Sequence, residues 1–479
     1  MLFSAAGLAG MKASLQNRLL LGHKLSPELI AIILVYFVQG ILGLAHLAIS
    51  FFLKDDLGLT PAQVASLMGI SMLPWVMKPL FGFLSDGLPL FGYRRRSYLF
   101  LSGLVGMLSW VLLATMVDTI WAATGAIALS SLSIALSDVI ADSIVVERAR
   151  QESLSQAGSL QSLCWGASAF GGLLTAYLSG WLLGQVSSRT VFLITALFPL
   201  LISAVAWLIV ESPARDRADS ATVRHQMKRL RQAISQKPIL LPIAFLFLWQ
   251  ATPSSDSAFF FFSTNDLGFE PEFLGRIRLV TSLATLLGVW IFQRFLRNVP
   301  LRPILGWSTV LSALLGMTTL LLVTHVNRTL GINDYWFSLG DSLILRVMGE
   351  IAFLPFMVLA ARLCPPDIEA TFFALLMSIW NLGWFLSQQM SALLTHLLGI
   401  TETQFDNLWL LVLIANVSTL LPLVFLQWVP DDDPQKAVEA ASAEIPGQSP
   451  TPIDDETASS LKPLFPEAIP IVQEEIAET

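Results

Sequence analysis

Long apolar stretches separated by short polar gaps run from residue 29 to residue 428. A helix that crosses a bilayer needs roughly 20 mostly apolar residues. Runs of that kind fall at 29–53, 62–85, 97–117, 120–145, 156–184, 190–211, 239–263, 272–293, 303–324, 337–361, 369–398 and 405–428. The pattern therefore predicts an all-α membrane protein with twelve transmembrane helices. Pro61, Pro238, Pro271 and Pro303 stand at or near predicted helix starts, where a missing N–H is harmless. Pro74, Pro253 and Pro355 fall inside spans and predict kinks or breaks.

The polar gaps give the organisation. The longest one before the tail, 212–238, is basic and divides the spans six and six. The expected units are an N-terminal segment (1–28), a first six-helix bundle (29–211), the basic linker (212–238), a second bundle (239–428) and an acidic C-terminal tail (429–479). The tail, rich in Pro, Ser and acids, cannot bury enough apolar surface to fold alone and is expected to be disordered. Nineteen Lys and Arg fall on the side of the N-terminus, against Lys54, Arg189 and Arg328 on the other. By the positive-inside rule both termini are cytoplasmic. Composition supports the class: 54% of residues are hydrophobic and 13% charged, against about 25% charged in a soluble domain. Cys164 and Cys364, far apart in or beside apolar runs, are expected to be reduced. Lys12, Arg18 and Lys24 with few acids leave room for a short transit peptide.

A faint internal repeat accompanies the division. One constant offset pairs Asp138 with Glu350, Val146 with Val358, Ala149 with Ala361 and Arg150 with Arg362, and a short insertion brings Trp165 onto Trp380. Two parallel six-helix repeats describe the major facilitator architecture, with its substrate site at the midplane between halves. The gap between spans two and three reads KPLFGFLSDGLPLFGYRRRSYL, Lys78 to Leu99. Its Gly82, Asp86 and Arg94, Arg95 and Arg96 resemble the superfamily's signature loop, lengthened here by Leu88–Tyr93. Together with SDVIADSIVVERAR, Ser137 to Arg150, it resembles the folate–biopterin transporter family, a branch known from protozoa, cyanobacteria and plastids. The resemblance implies folates or pterins as substrate, carried by alternating access and driven by proton symport.

Several residues carry the expected chemistry. Asp86 lies at the negative end of the span-two dipole and needs compensation, from the arginines or from the start of span eleven near Glu369. The resemblance makes Gly82, Asp86, Arg94, Arg95, Arg96 and Arg150 a conformational gate that ties the halves together. Asp138 and Asp142 are four apart on one face of span four. Ionisable groups at membrane depth are functional candidates. These two are candidates for proton coupling, together with Glu350, and for accepting hydrogen bonds from the amino-pyrimidine edge of a pterin. The structural alternative pairs Asp142 with Arg148 or Arg150. Arg346 and Glu350 share a face of span ten, with Arg346 about 24 Å along the helix from Arg362. Its fork suits a carboxylate such as the glutamate end of folate, unless Glu350 satisfies it. Lys78, about 12 Å from Asp86, is a candidate to bind a carboxylate, to neutralise Asp142 or to snorkel. Asp256, beside Pro253, is a candidate for a gate or outer site at a helix break. Trp75, Trp165, Trp380 and Trp384 are candidates for stacking on a flat heterocycle, and otherwise pack or anchor at the interface. Gln250, Asn381, Gln388 and Gln389 are candidate polar liners, and His46 reads as a polar packing residue. Arg276 and Arg278 lie too near the outer edge for a role to be assigned.

The sequence shows no Walker-type phosphate loop, no metal-ligand cluster and no nucleophile–base arrangement. Enzyme activity and cofactors are not expected. The expected partners are a small folate or pterin, protons and the lipid bilayer, with no nucleic acid and a monomeric chain. The alternatives are a major facilitator carrier or exporter of another organic anion or drug, and a non-transporting receptor or scaffold that recruits through the acidic tail. The expected location is a bacterial inner membrane, with a plastid envelope second.

Overall fold

The structure, a computed structural model, describes residues 23, 26–149, 154–211, 213, 234–296, 299–363 and 369–430. Arg150, most of the basic linker and the tail after Pro430 lie outside the described residues. The helices are α1 (Pro27–Asp56), α2 (Pro61–Gly87), α3 (Arg96–Thr115), α4 (Ile120–Ala149), α5 (Leu154–Gln185) and α6 (Ser188–Leu208). There follow α7 (Lys237–Gln250), α8 (Asp256–Asn265), α9 (Pro271–Leu296), α10 (Leu301–Val323), α11 (Asp334–Arg362), α12 (Glu369–Leu397) and α13 (Leu408–Trp428). Among the described residues nine helices are long and apolar enough to cross a membrane. Helices α5 and α12 reach 32 and 29 residues with more small and polar side chains.

Local chemistry sets the ends. Ser26 caps α1 ahead of Pro27, its Oγ accepting from the Leu29 N–H at 3.2 Å. Thr60 and Gln63 form a reciprocal capping box around Pro61 at the start of α2. Gly58, at φ +62°, makes the tight turn between these two helices. The internal prolines act unequally. Around Pro74 the α2 helix loosens into turns at Met72 and Met77. At Pro253 the predicted seventh span is broken outright, leaving α7 and α8. At Pro355 the expected break is absent: α11 runs on through it, in line with the tolerance of membrane helices for proline where neighbours re-satisfy the backbone.

Helices α1 to α6 pack on one another, α1 against α5 and α6, and α3 against α4 and α6. Small residues allow close approach: a Cβ on Gly103 would stand 2.4 Å from the Pro199 carbonyl oxygen. Helices α7 to α13 pack likewise, α9 on α11 and α7 on α12. The two sets meet where α5 crosses α9 and where α2 runs along α12. One end of the bundle carries Ser26, Arg94–Arg96 and Glu211; the opposite end, here called the far end, carries Lys54, Arg189 and Asn265. At the far end Lys54 donates to Asn265 at 2.9 Å, Tyr177 donates to Glu272 at 3.1 Å, and Gly180 lies backbone to backbone with Gly275.

Candidate functional site

One group of charged and polar side chains lies within the first six helices. Lys78 of α2 forms an ion pair with Asp138 of α4, both side chains largely covered. The Lys78 ammonium also stands 4.5 Å from the centre of the Trp75 ring, a cation–π contact. One turn along α4, Asp142 accepts a hydrogen bond from the Tyr36 hydroxyl of α1, yet the residue is exposed. The predicted shared face of Asp138 and Asp142 is thus present, with different partners. The ion pair that Lys78 forms is with Asp138. Of the two arginines in the structural alternative for Asp142, Arg148 donates to Ser26 at 3.0 Å and lies 3.9 Å from Glu28, and Arg150 lies outside the described residues. Tyr36 was not among the sequence candidates; the available signal was a phenol in an apolar run. The carbonyl oxygen of Trp75 accepts from Asn381 of α12 at 3.4 Å.

Arg346 and Glu350 of α11 pair with each other at 3.6 Å, and Arg346 also donates to Thr285 of α9 at 2.7 Å. Glu350 is packed against Gly288, where an added Cβ would stand 2.8 Å from the Glu350 Cβ. Both charges are therefore already matched. Asp256 opens α8 and is exposed. The break before it is satisfied by α12: Ser387 donates to the Thr252 carbonyl oxygen at 2.6 Å, and the Ser254 N–H donates to Ser391 at 2.8 Å. Gln250 packs on Gly383, and Gln389 exchanges hydrogen bonds with Ser66; Gln388 is buried. Trp380 sits among Trp249, Phe353 and Phe356, at ring distances of 5.8, 5.5 and 5.6 Å, beside a small apolar pocket lined by Ile243 and Leu246. Trp165 is 62% exposed, so the two tryptophans paired by the repeat have unlike surroundings.

The signature loop is knit by charge. Arg95 pairs with Asp86 and with Glu147, both at 2.8 Å, and donates to Ser85 at 3.1 Å. Burial disfavours the charged guanidinium, but the two carboxylates outweigh it and hold Arg95 above its ordinary pKa. Glu211, absent from the sequence candidates, accepts from the backbone N–H groups of Arg94, Arg95 and Arg96. A carboxylate there complements the dipole of α3. Arg96 stacks over Trp207 at 4.1 Å. Among the described residues Asp86 pairs with Arg95; the stretch leading into span eleven, 364–368, and Arg150 lie outside the described residues. A Cβ on Gly82 would meet only Val139, at 3.9 Å.

His46 and Arg278 also meet. Arg278 of α9 donates to the Gly43 carbonyl oxygen of α1 at 3.3 Å and bonds the His46 Nδ1 at 2.9 Å. Arg276, two residues nearer the start of α9, pairs with Glu272 at 2.8 Å.

A profile of the BT1 family matches residues 39–447. The chain is 60% identical over 425 residues to a folate-biopterin transporter of Synechocystis sp., covering 89% of this chain and 86% of that protein. It is 32% identical over 404 residues to folate transporter 2 of Plasmodium falciparum, covering 84% and 88%. It is 33% identical over 406 residues to a probable folate-biopterin transporter 2 of Arabidopsis thaliana, covering 82% and 81%. In fold it resembles the nucleoside transporter NupG, with TM-score 0.63, 15% identity and 84% and 98% of the chains covered. It also resembles a D-xylose-proton symporter, with TM-score 0.62, 16% identity and 84% and 98% covered. The fold is of the major facilitator type.

Proposed function

The chain belongs to the BT1 family, and from that premise we propose that it is a secondary active transporter of folates and pterins that works by alternating access and is coupled to protons. The relationship to the cyanobacterial folate-biopterin transporter carries the substrate class. The two six-helix halves, 29–211 and 239–428, rock about the polar group between α1, α2 and α4, with the basic linker 212–238 joining them on the cytoplasmic side of a bacterial inner membrane. The protein acts as a monomer with both termini cytoplasmic.

Of the three proton-coupling candidates, Asp142 is favoured. Asp138 and Glu350 are each held by a cation, Lys78 and Arg346, whereas Asp142 is met by a neutral hydroxyl and is exposed. A carboxyl that is not in a direct ion pair takes up a proton at less electrostatic cost than one held by a cation. Protonated, the same carboxyl still accepts from a pterin N–H through its carbonyl oxygen and donates its O–H to an adjacent ring acceptor, so proton and substrate load together and release inside follows deprotonation.

Uptake of labelled folic acid into proteoliposomes, with and without an inward proton gradient, tests the reading. Saturable uptake that rises with the gradient is expected. Absence of both uptake and binding, for folic acid and biopterin alike, refutes the substrate class. Asp142→Asn is expected to remove the response to the gradient while the protein still inserts; an unchanged gradient response in that variant moves the coupling role elsewhere.

A further inference from the structure

Among the described residues, the candidate cations Lys78, Arg346 and Arg276 each have a carboxylate partner, and Arg278 has none. Lys78 is matched by Asp138 and Arg346 by Glu350. Arg276 is matched by Glu272. Among the described residues no carboxylate pairs with Arg278. Its partners are a backbone carbonyl, that of Gly43, and the His46 ring. Arginine offers five N–H donors and no acceptor. The His46 Nδ1 therefore accepts, and the imidazole is a neutral support for the guanidinium, not a counter-charge. Arg278 lies seven residues into α9, about 10 Å from its start. A cation at that depth without an anion is costly, and such residues mark ligand pathways. It also sits at a crossing between the two halves, since α9 carries it and α1 receives it.

We infer that Arg278, oriented by His46 and the Gly43 carbonyl, is the subsite for a substrate carboxylate. The inference rests on the folate–pterin reading and deepens it. Arg346, the sequence's own candidate for this role, already has Glu350 and Thr285 as partners. Arg278 has donors to spare, and a guanidinium fork takes a carboxylate in two parallel hydrogen bonds. The placement suits an elongated molecule. Tyr36 and His46 are ten residues apart on α1, which corresponds to about 15 Å of helix. At one end is Asp142, an acceptor for the pterin's N–H groups. At the other is Arg278, a donor for the glutamate carboxylates. A pteroylglutamate in extended form carries its two ends in that order. Biopterin has no carboxylate and engages only the Asp142 end.

The test compares uptake of biopterin and folic acid by the wild-type protein and by Arg278→Gln in proteoliposomes. The expected result is a KM for folic acid raised at least tenfold in the variant, with biopterin uptake within twofold of wild type. A parallel loss for folic acid and biopterin overturns the inference, because it makes Arg278 a clasp between halves and nothing more. An unchanged KM for folic acid overturns it as well. Failure of the wild-type protein to take up either compound is a different result, and removes the substrate reading together with the subsite. A second measurement needs no variant. Folic acid and its bis-amide, in which both carboxylates are neutral, compete for biopterin uptake by the wild-type protein. The bis-amide is expected to compete at least tenfold more weakly, and equal competition overturns the inference.

Discussion

At the scale of single residues, the Lys78–Asp138 pair combines high cost with high dependence. Both side chains are largely covered, at 13% and 14% exposure. Removing one partner leaves an uncompensated charge, which costs about 3–5 kcal/mol, whereas replacing both by apolar residues is often close to neutral. Lys78→Ala should therefore lower the thermal midpoint of the detergent-purified protein clearly. Lys78→Leu with Asp138→Leu should recover most of that loss while still failing to transport. Recovery of stability without recovery of uptake separates a functional ion pair from a structural one; a double variant as unstable as the single would speak for structure. The sequence made part of this visible. The spacing of Asp138 and Asp142 fixes their common face, because it depends only on the helix repeat. Their partners depend on how α1, α2 and α4 are rotated against one another, and a single sequence holds no such register. That is why Tyr36 and the choice of Lys78 for Asp138 over Asp142 emerge only in three dimensions.

At the scale of helices, the apolar runs place nearly every element within a few residues, since length and hydropathy are local properties. The exceptions are informative. Pro253 and Pro355 read alike in the sequence, yet one breaks its helix and the other does not. At Pro253 the break is sustained from outside, by Ser387 and Ser391 on α12. Ser391→Ala leaves the Ser254 N–H without its acceptor, and an orphaned buried donor costs about 1–3 kcal/mol. Thermal unfolding of the purified protein should show that loss. Ser378→Ala serves as the control, because that hydroxyl bonds within its own helix, to Ala374 at 2.9 Å. Equal effects from the two substitutions would mean that α12 does not hold the break. Glu211 illustrates the same limit. An acid at the end of an apolar run reads as a simple boundary, but it reaches the N-terminus of α3 far away in sequence.

At the scale of the whole molecule, the far end is held shut by a contact that tolerates no side chain. A Cβ on Gly180 would stand 2.2 Å from the Pro271 carbonyl oxygen and 2.7 Å from the Gly275 Cα. These are backbone atoms of α9, so a flexible side chain cannot yield to relieve them. Alternating access requires α5 and α9 to part and rejoin here in each cycle. Gly180→Val should hold the far end open and leave the protein able to bind substrate from that side without completing the cycle. Spin labels at Gln185 and Glu402, exposed at the far ends of the two halves, should report a longer distance in the variant. Uptake should fall at least tenfold while biopterin binding survives. Gly184→Ala is the matched control, since nothing lies within 4 Å of the Cβ it adds, and it should leave both readouts unchanged. A Gly180→Val protein with wild-type distance and uptake would show that the α5–α9 crossing is not the far-end gate. The halves would then have to part elsewhere, with Lys54 and Asn265, bonded at 2.9 Å, as the next contact to break.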